Sequence, residues 1–276
     1  MTEQSDAGAD YGTAAVEPPG RLGVVVVTQK SAKGALVVQA LAHQRVPIEA
    51  IVLDRGSVGS RTHVRRLRAH TRRVGPMDVV RLARKQVVRR FRRFTSEAEW
   101  KHDDFYRPFA SSVRKVLDLN GPESVKMLTD MAPDVIVIGS SRILRSNVIS
   151  IPRIGALNAH PGLLPAYRGV DVIPWAILNG DPVGVTVHFV DPGVDTGDIV
   201  TQRPIDVYPT DSLPRIMKRA NQVGAEDMAS AVAKLMTGRD LDRSPQSAQE
   251  GQQYWRMPLP LRKEVEAIIK TLPRPE

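Results

Sequence analysis

Apolar residues in this chain alternate between short β-branched runs and longer stretches with helical spacing. Leu22 to Thr28, which includes the four valines Val24 to Val27, is a continuous apolar run of the kind buried on both faces of a parallel sheet. Helical spacing follows from about Ala32 to Gln44, and a second strand is predicted from Ile48 to Leu53. Strand, helix and strand in this order require a parallel sheet with right-handed crossovers. Further on, Glu123 to Met131 reads as a helix, Asp134 to Ile138 as a buried strand, and Gly139 to Leu144 as the loop at its carboxyl end. A short helix to about Ser150 leads to a strand from Gly155 to Asn158. Asp171 is placed to cap a helix through Leu178, with Pro174 in its first turn. Val183 to Val190 alternates, setting Val185, Val187 and Phe189 on one face and Thr186 and His188 on the other. A strand from Ile199 to Arg203 and a long helix from Leu213 to Met236 complete the pattern.

The expected fold class is therefore α/β, a Rossmann-like mostly parallel sheet with helices on both faces, plus a basic helical insertion and a short C-terminal tail. Residues 1–20 are polar and aperiodic and are expected to be disordered. Residues 56–110 form the insertion, in which Val80, Val87, Phe91 and Phe94 make one stripe of a helix rich in arginine. Residues 240–276 are expected to be a polar linker and a small helical extension. The turn Thr28 to Gly34 contains no G-x-G-x-x-G, so a dinucleotide site at the first crossover is not indicated.

Charge sharpens the picture of the insertion. The chain carries a formal net charge of +9, yet the fourteen Lys and Arg between Arg55 and Arg93 face a single acid, Asp78, leaving the remainder net negative. Basic character this local suggests contact with an anionic surface or substrate through residues 61–93. With 42% hydrophobic and 25% charged residues the composition is that of an ordinary globular protein. The lack of cysteine excludes disulfides, thiolate metal sites and a cysteine nucleophile. No run of about 20 apolar residues and no export signal is visible, and a cytoplasmic location is expected.

Candidate chemistry centres on Leu157 to Gly169. Asn158 and His160 are two apart at the end of an apolar run, so on an extended backbone both project to one side. Pro161, Gly162, Pro165 and Gly169 hold a rigid turn beside them. An amide donor next to an imidazole suits a site where negative charge develops on a carbonyl oxygen. A carboxylate near His160 would favour its charged form and take up a proton; Asp191, Asp195 and Asp198 are all candidates by position, and spacing does not choose among them.

Asn158-Ala159-His160-Pro161-Gly162-Leu163-Leu164-Pro165, then Arg168-Gly169, Gly184 to Phe189 and Val194-Asp195-Thr196-Gly197 together resemble the folate-dependent formyltransferases, a family that acts on glycinamide ribonucleotide, methionyl-tRNA and nucleotide-sugar amines. The resemblance is dense from about Pro133 to Val207 and implies a catalytic domain over residues 21–239. It implies that Asn158, His160 and Asp195 are the catalytic trio. It further implies that Arg142, Ile143, Leu144, Asp191 and Val194 contact the pterin end of 10-formyltetrahydrofolate as formyl donor, with His188 and Thr186 in support. No metal is implied.

Departures from the family's named members bear on the acceptor. The first turn lacks the glycine-rich phosphate cradle of the glycinamide ribonucleotide enzymes. It also lacks the Gly-Thr-Pro turn of the methionyl-tRNA enzymes, and the segment from residue 240 is short for their C-terminal barrel. An amino sugar on a nucleotide or lipid carrier is the expected acceptor, its phosphates meeting the arginines of the insertion. The alternatives are the two named acceptors, or a non-catalytic protein of this fold that binds nucleic acid or anionic membrane through the basic helix.

Overall fold

The computed structural model describes residues 22–55, 101–247 and 250–273. The N-terminal segment expected to be disordered and the arginine-rich helix lie outside the described residues. A seven-stranded sheet forms the centre, in the order β3 (Ala110–Val116), β2 (Ile48–Asp54), β1 (Val24–Thr28), β4 (Val135–Ser140), β5 (Gly155–His160), β7 (Gly184–Phe189), β8 (Ile199–Pro204). The first five pair in parallel and the last two join antiparallel, so the sheet is mostly parallel as expected. A second, two-stranded sheet pairs β6 (Tyr167–Gly169) with β9 (Gln252–Tyr254).

The valine run divides between the two faces of the sheet, because successive side chains on a strand point in opposite directions. Val24 and Val26 pack with Val37, Val38 and Leu41 of α1 (Ala32–His43) and with Met228 and Val232 of α5 (Leu213–Met236). Val25 and Val27 pack on the other face with Leu128 of α2 (Pro122–Met131) and Val148 of α3 (Ser146–Ile149). A third cluster joins α4 (Val172–Asn179), the start of α5 and α6 (Leu259–Thr271), where Val265 and Ile269 are fully covered.

Some local expectations change. Asp171 occupies the N-cap of α4, but its φ of 58° turns its carboxylate away from the helix. It accepts instead from the Met257 amide and pairs with Arg262, tying α4 to the C-terminal segment. The segment expected as a polar linker is tied to the sheet: Ser244 bridges to Ile199, and Gln246 bonds to the loop after β7. The strand predicted to stop at Asn158 continues to His160, so the histidine is held by strand pairing rather than by the turn. β3 and the 3-10 segment Asp103–Phe109 within the expected insertion were not signalled by periodicity.

Candidate active site

Antiparallel pairing sets Asn158 opposite His188 and His160 opposite Thr186, which brings four polar side chains to one face of the β5–β7 pair. The opposite face, with Leu157, Ala159, Val187 and Phe189, packs on α5. His160, His188 and Thr186 are buried, and Asn158 is half-buried at the edge of the group.

Thr186 holds the turn that follows β5. Its hydroxyl donates to the Gly162 carbonyl (2.7 Å) and accepts from the Leu164 amide (3.1 Å), while Gln202 donates to the Leu164 carbonyl (2.5 Å). Gly162 lies so near the imidazole that a Cβ there would come within 2.9 Å of His160 Nε2. A side chain at this position would displace the ring or the turn.

The protons of the two histidines follow from their partners. His188 Nδ1 lies 2.7 Å from the Phe189 carbonyl, which only accepts, so Nδ1 carries hydrogen and Nε2 is a bare acceptor for Asn158 Nδ2 at 3.2 Å. This fixes the Asn158 amide with nitrogen toward His188 and leaves its second N–H for a ligand. Burial pushes the His188 imidazole down to about 4, with Asp195 opposing and His160 adding to the shift, so it is neutral near pH 7. His160 Nε2 lies 2.8 Å from the Tyr167 carbonyl and must donate to it. Burial also lowers the basicity of His160, against the pull of Asp195 and the Tyr167 carbonyl and with the push of Lys33.

The unprotonated Nδ1 of His160 then faces Asp195 Oδ2 at 3.4 Å, and Asp195 Oδ1 lies 3.6 Å from His188 Nε2. Asp195 has a φ of 54° and accepts at Oδ2 from the Gly169 amide at 2.9 Å. Two acceptors that face each other this closely have room for one proton between them. His160 thus spends its single N–H on the Tyr167 carbonyl, whereas the Asn158 amide keeps a second N–H beyond its contact with His188.

The loop after β4 is held by a different network. Arg142 makes a bidentate pair with Asp54 (2.7 and 2.8 Å) and a further bond to Asp118 (2.7 Å). Asn120 clamps the loop by donating to the Ile143 carbonyl (3.0 Å) and accepting from the Arg145 amide (2.8 Å). Leu144 is buried in the core and Ile143 is 68% exposed. In the loop after β7, Asp191 accepts from Thr196 (2.6 Å) and the Gly193 amide (3.1 Å), Val194 is exposed, and Asp198 lies outside the histidine pairings. Gly197 makes that loop tight enough that a Cβ would fall 2.1 Å from the Phe189 carbonyl.

Sequence reasoning missed Lys33. The residue is half-buried, and its ammonium, enclosed by the protein, donates to the Ala159 carbonyl at 2.7 Å, between Asn158 and His160. Desolvation pushes it down to about 8, with Asp195 opposing, so it remains about nine-tenths charged at pH 7. Asn120 and Gln246 were missed too, as polar residues in stretches that read as surface.

Comparison with known proteins identifies the family. The formyl transferase family model matches residues 24–232. Methionyl-tRNA formyltransferase of Geobacter sulfurreducens is 34% identical over 129 residues, covering 46% of this chain and 41% of that protein. That of Chlorobium chlorochromatii is 37% identical over 124 residues, covering 45% and 40%. The match thus spans well under half the length of these relatives. Among solved structures, glycinamide ribonucleotide transformylase 1 from Symbiobacterium toebii superposes with a TM-score of 0.55 at 18% identity, covering 80% of this chain and 90% of that one, and shares the fold. A sugar N-formyltransferase from a Shewanella species does so at 0.54 and 15%, covering 90% and 87%. With the model match covering most of its length, the chain belongs to the formyl transferase family.

Proposed function

We propose that this protein is an N-formyltransferase that moves a formyl group from 10-formyltetrahydrofolate to an acceptor amine, and that the acceptor is an amino sugar on a nucleotide or lipid carrier. The carrying observation is the group of Asn158, His160, His188 and Asp195: one directed amide donor at the edge, and behind it a half-buried carboxylate and a buried imidazole with room for one proton.

The donor supplies an electrophilic formyl carbon. As the acceptor nitrogen bonds to that carbon, the carbonyl π electrons move onto oxygen, where the second N–H of Asn158 donates to them. Neutral His188 keeps the amide from flipping, since a reversed amide would set oxygen against the bare Nε2. The nitrogen, now positive, releases its proton to the Asp195–His160 pair. Return of the electrons from oxygen breaks the bond to the folate nitrogen, which leaves with the bonding pair and takes up a proton. Ile143 and Val194, two uncovered apolar side chains on the loops after β4 and β7, suit the flat faces of a pterin.

The arginines between Arg55 and Arg93 support a phosphate-bearing acceptor. A methionyl-tRNA acceptor is the second reading, favoured by sequence identity to proteins of that name. Incubation with 10-formyltetrahydrofolate and a panel of nucleotide-linked amino sugars, glycinamide ribonucleotide and methionyl-tRNA, followed by mass spectrometry, tests both. Gain of one formyl group on an amino sugar is expected. Formylation of methionyl-tRNA alone would replace the acceptor, and absence of any formylated amine would overturn the activity.

A further inference from the structure

We infer that Lys33 is a positioning residue of the proposed transfer, its ammonium fixing the peptide between Asn158 and His160 and setting a positive charge beside the His160–Asp195 pair. The inference rests on the formyltransfer reading for its meaning and on the geometry for its existence.

Strand order reverses beside β1: β2 follows on one side and β4 lies on the other, and ligands of open parallel sheets sit in the crevice at such a point. Lys33 is the second residue of α1, directly after β1. The register of β4 with β5 ends at Ile138 and Asn158, and Ser140 pairs instead with Thr28 of β1. The carbonyl of Ala159 therefore lies one residue past the last β4 partner, and Lys33 reaches from the far side of β4 to bond it at 2.7 Å. This reach depends on a close approach of α1 to the sheet. Gly34 and Gly139 pack around Thr28, where a Cβ on either would fall 2.1 or 2.9 Å from its hydroxyl.

A lysine that only filled space would be a poor choice here, because an enclosed ammonium is costly unless something charged needs it. The charged and titratable groups that bear on the His160 ring are Asp195 from the loop after β7, His188 from β7, and Lys33 from α1. Asp195 draws a proton toward the ring, and Lys33 opposes it. Without Lys33 the ring would hold a proton more tightly, so the pair would be filled before the amine arrived and slow to release what it took up.

Three variants separate the charge from the hydrogen bond: Lys33→Arg keeps the charge, Lys33→Gln keeps a donor without charge, and Lys33→Met keeps neither. The first readout is the His160 imidazole titration by NMR on the intact protein, which needs no substrate. Lys33→Gln and Lys33→Met should raise it, and Lys33→Arg should restore it. The second readout is the pH profile of kcat with whichever amine is formylated. Its acid limb should move up by the same amount in Lys33→Gln, with KM for 10-formyltetrahydrofolate unchanged. An unmoved His160 titration in folded Lys33→Gln overturns the inference, as does a moved titration with an unmoved acid limb. Absence of formylation in the wild type alongside a moved titration would count against the activity instead and would limit Lys33 to setting the protonation of His160. Should Lys33→Met not fold, the Gln and Arg pair alone decides.

Discussion

Two charged clusters flank the same sheet and are built on opposite principles. In the corner after β4, Arg142 meets Asp54 and Asp118 with each contact a good hydrogen bond, and the strong Asp54 bond raises the guanidinium further above its ordinary value. Donors there meet acceptors at hydrogen-bonding distance and no proton is missing. Between β5, β7 and the loop after β7, His160, His188 and Asp195 meet at 3.4 and 3.6 Å with fewer protons than acceptors. A matched cluster resists change and fixes a loop. An unmatched one binds and releases a proton at little cost. Under the proposed formyl transfer the first would serve structure and the second chemistry, although both are rich in charge.

The comparison is broken most directly at Asp195. Asp195→Asn keeps shape but cannot accept the proton, and kcat should fall by about 100- to 10,000-fold with the fold intact by circular dichroism. A loss confined to KM would move Asp195 from chemistry to binding. Asn158→Ala removes the directed donor, and a loss of about 100- to 1000-fold in kcat is expected in steady-state assays. Near wild-type turnover would reject the oxyanion role.

Stability against pH sharpens the contrast next. His188 is held below its unfolded value, so the unfolded chain binds more protons between about 4 and 6.5 and stability falls as pH drops through that window. Its share is on the order of 3 kcal/mol, and His188→Asn should flatten the urea-midpoint curve there. Equal curves for the two proteins would mean that His188 is not the buried neutral base inferred from its hydrogen bonds. In the matched corner, Arg142→Met leaves the enclosed Asp54 short of two bonds and should cost about 1–3 kcal/mol at neutral pH. KM for the folate donor should rise while kcat at saturation stays close to wild type. A loss in kcat as large as that of Asp195→Asn would erase the distinction between the clusters.

How much of this was visible in the sequence depends on what each residue is covered by. The central strands were legible because Val24 to Val27 and Val135 to Ile138 are buried on both faces and need no alternation. β3 was not, since Ala-Ser-Ser-Val-Arg-Lys-Val lies at the sheet edge with partly exposed faces and carries the polarity of a loop. Asn158, His160 and His188 were legible as a group because a strand period puts alternate residues on one face. Lys33, Gln246 and Asn120 were not: each bonds to residues far along the chain, and a single polar residue in a polar stretch gives no local sign of a distant partner. The proton arrangement was half legible, because no pattern in the sequence reveals that the Tyr167 carbonyl takes the His160 N–H.

Gln246 gives the loop that bears Asp195 an anchor far along the chain. Its side-chain amide donates to the carbonyls of Asp195 and Gly197, and Arg168 in turn donates to Gln246. Family matching stops at residue 232, fourteen positions before this latch. A fragment trimmed to the matched span would keep every strand of the large sheet and still release the aspartate's backbone from its tether. The contacts that hold this loop therefore extend past the long helix.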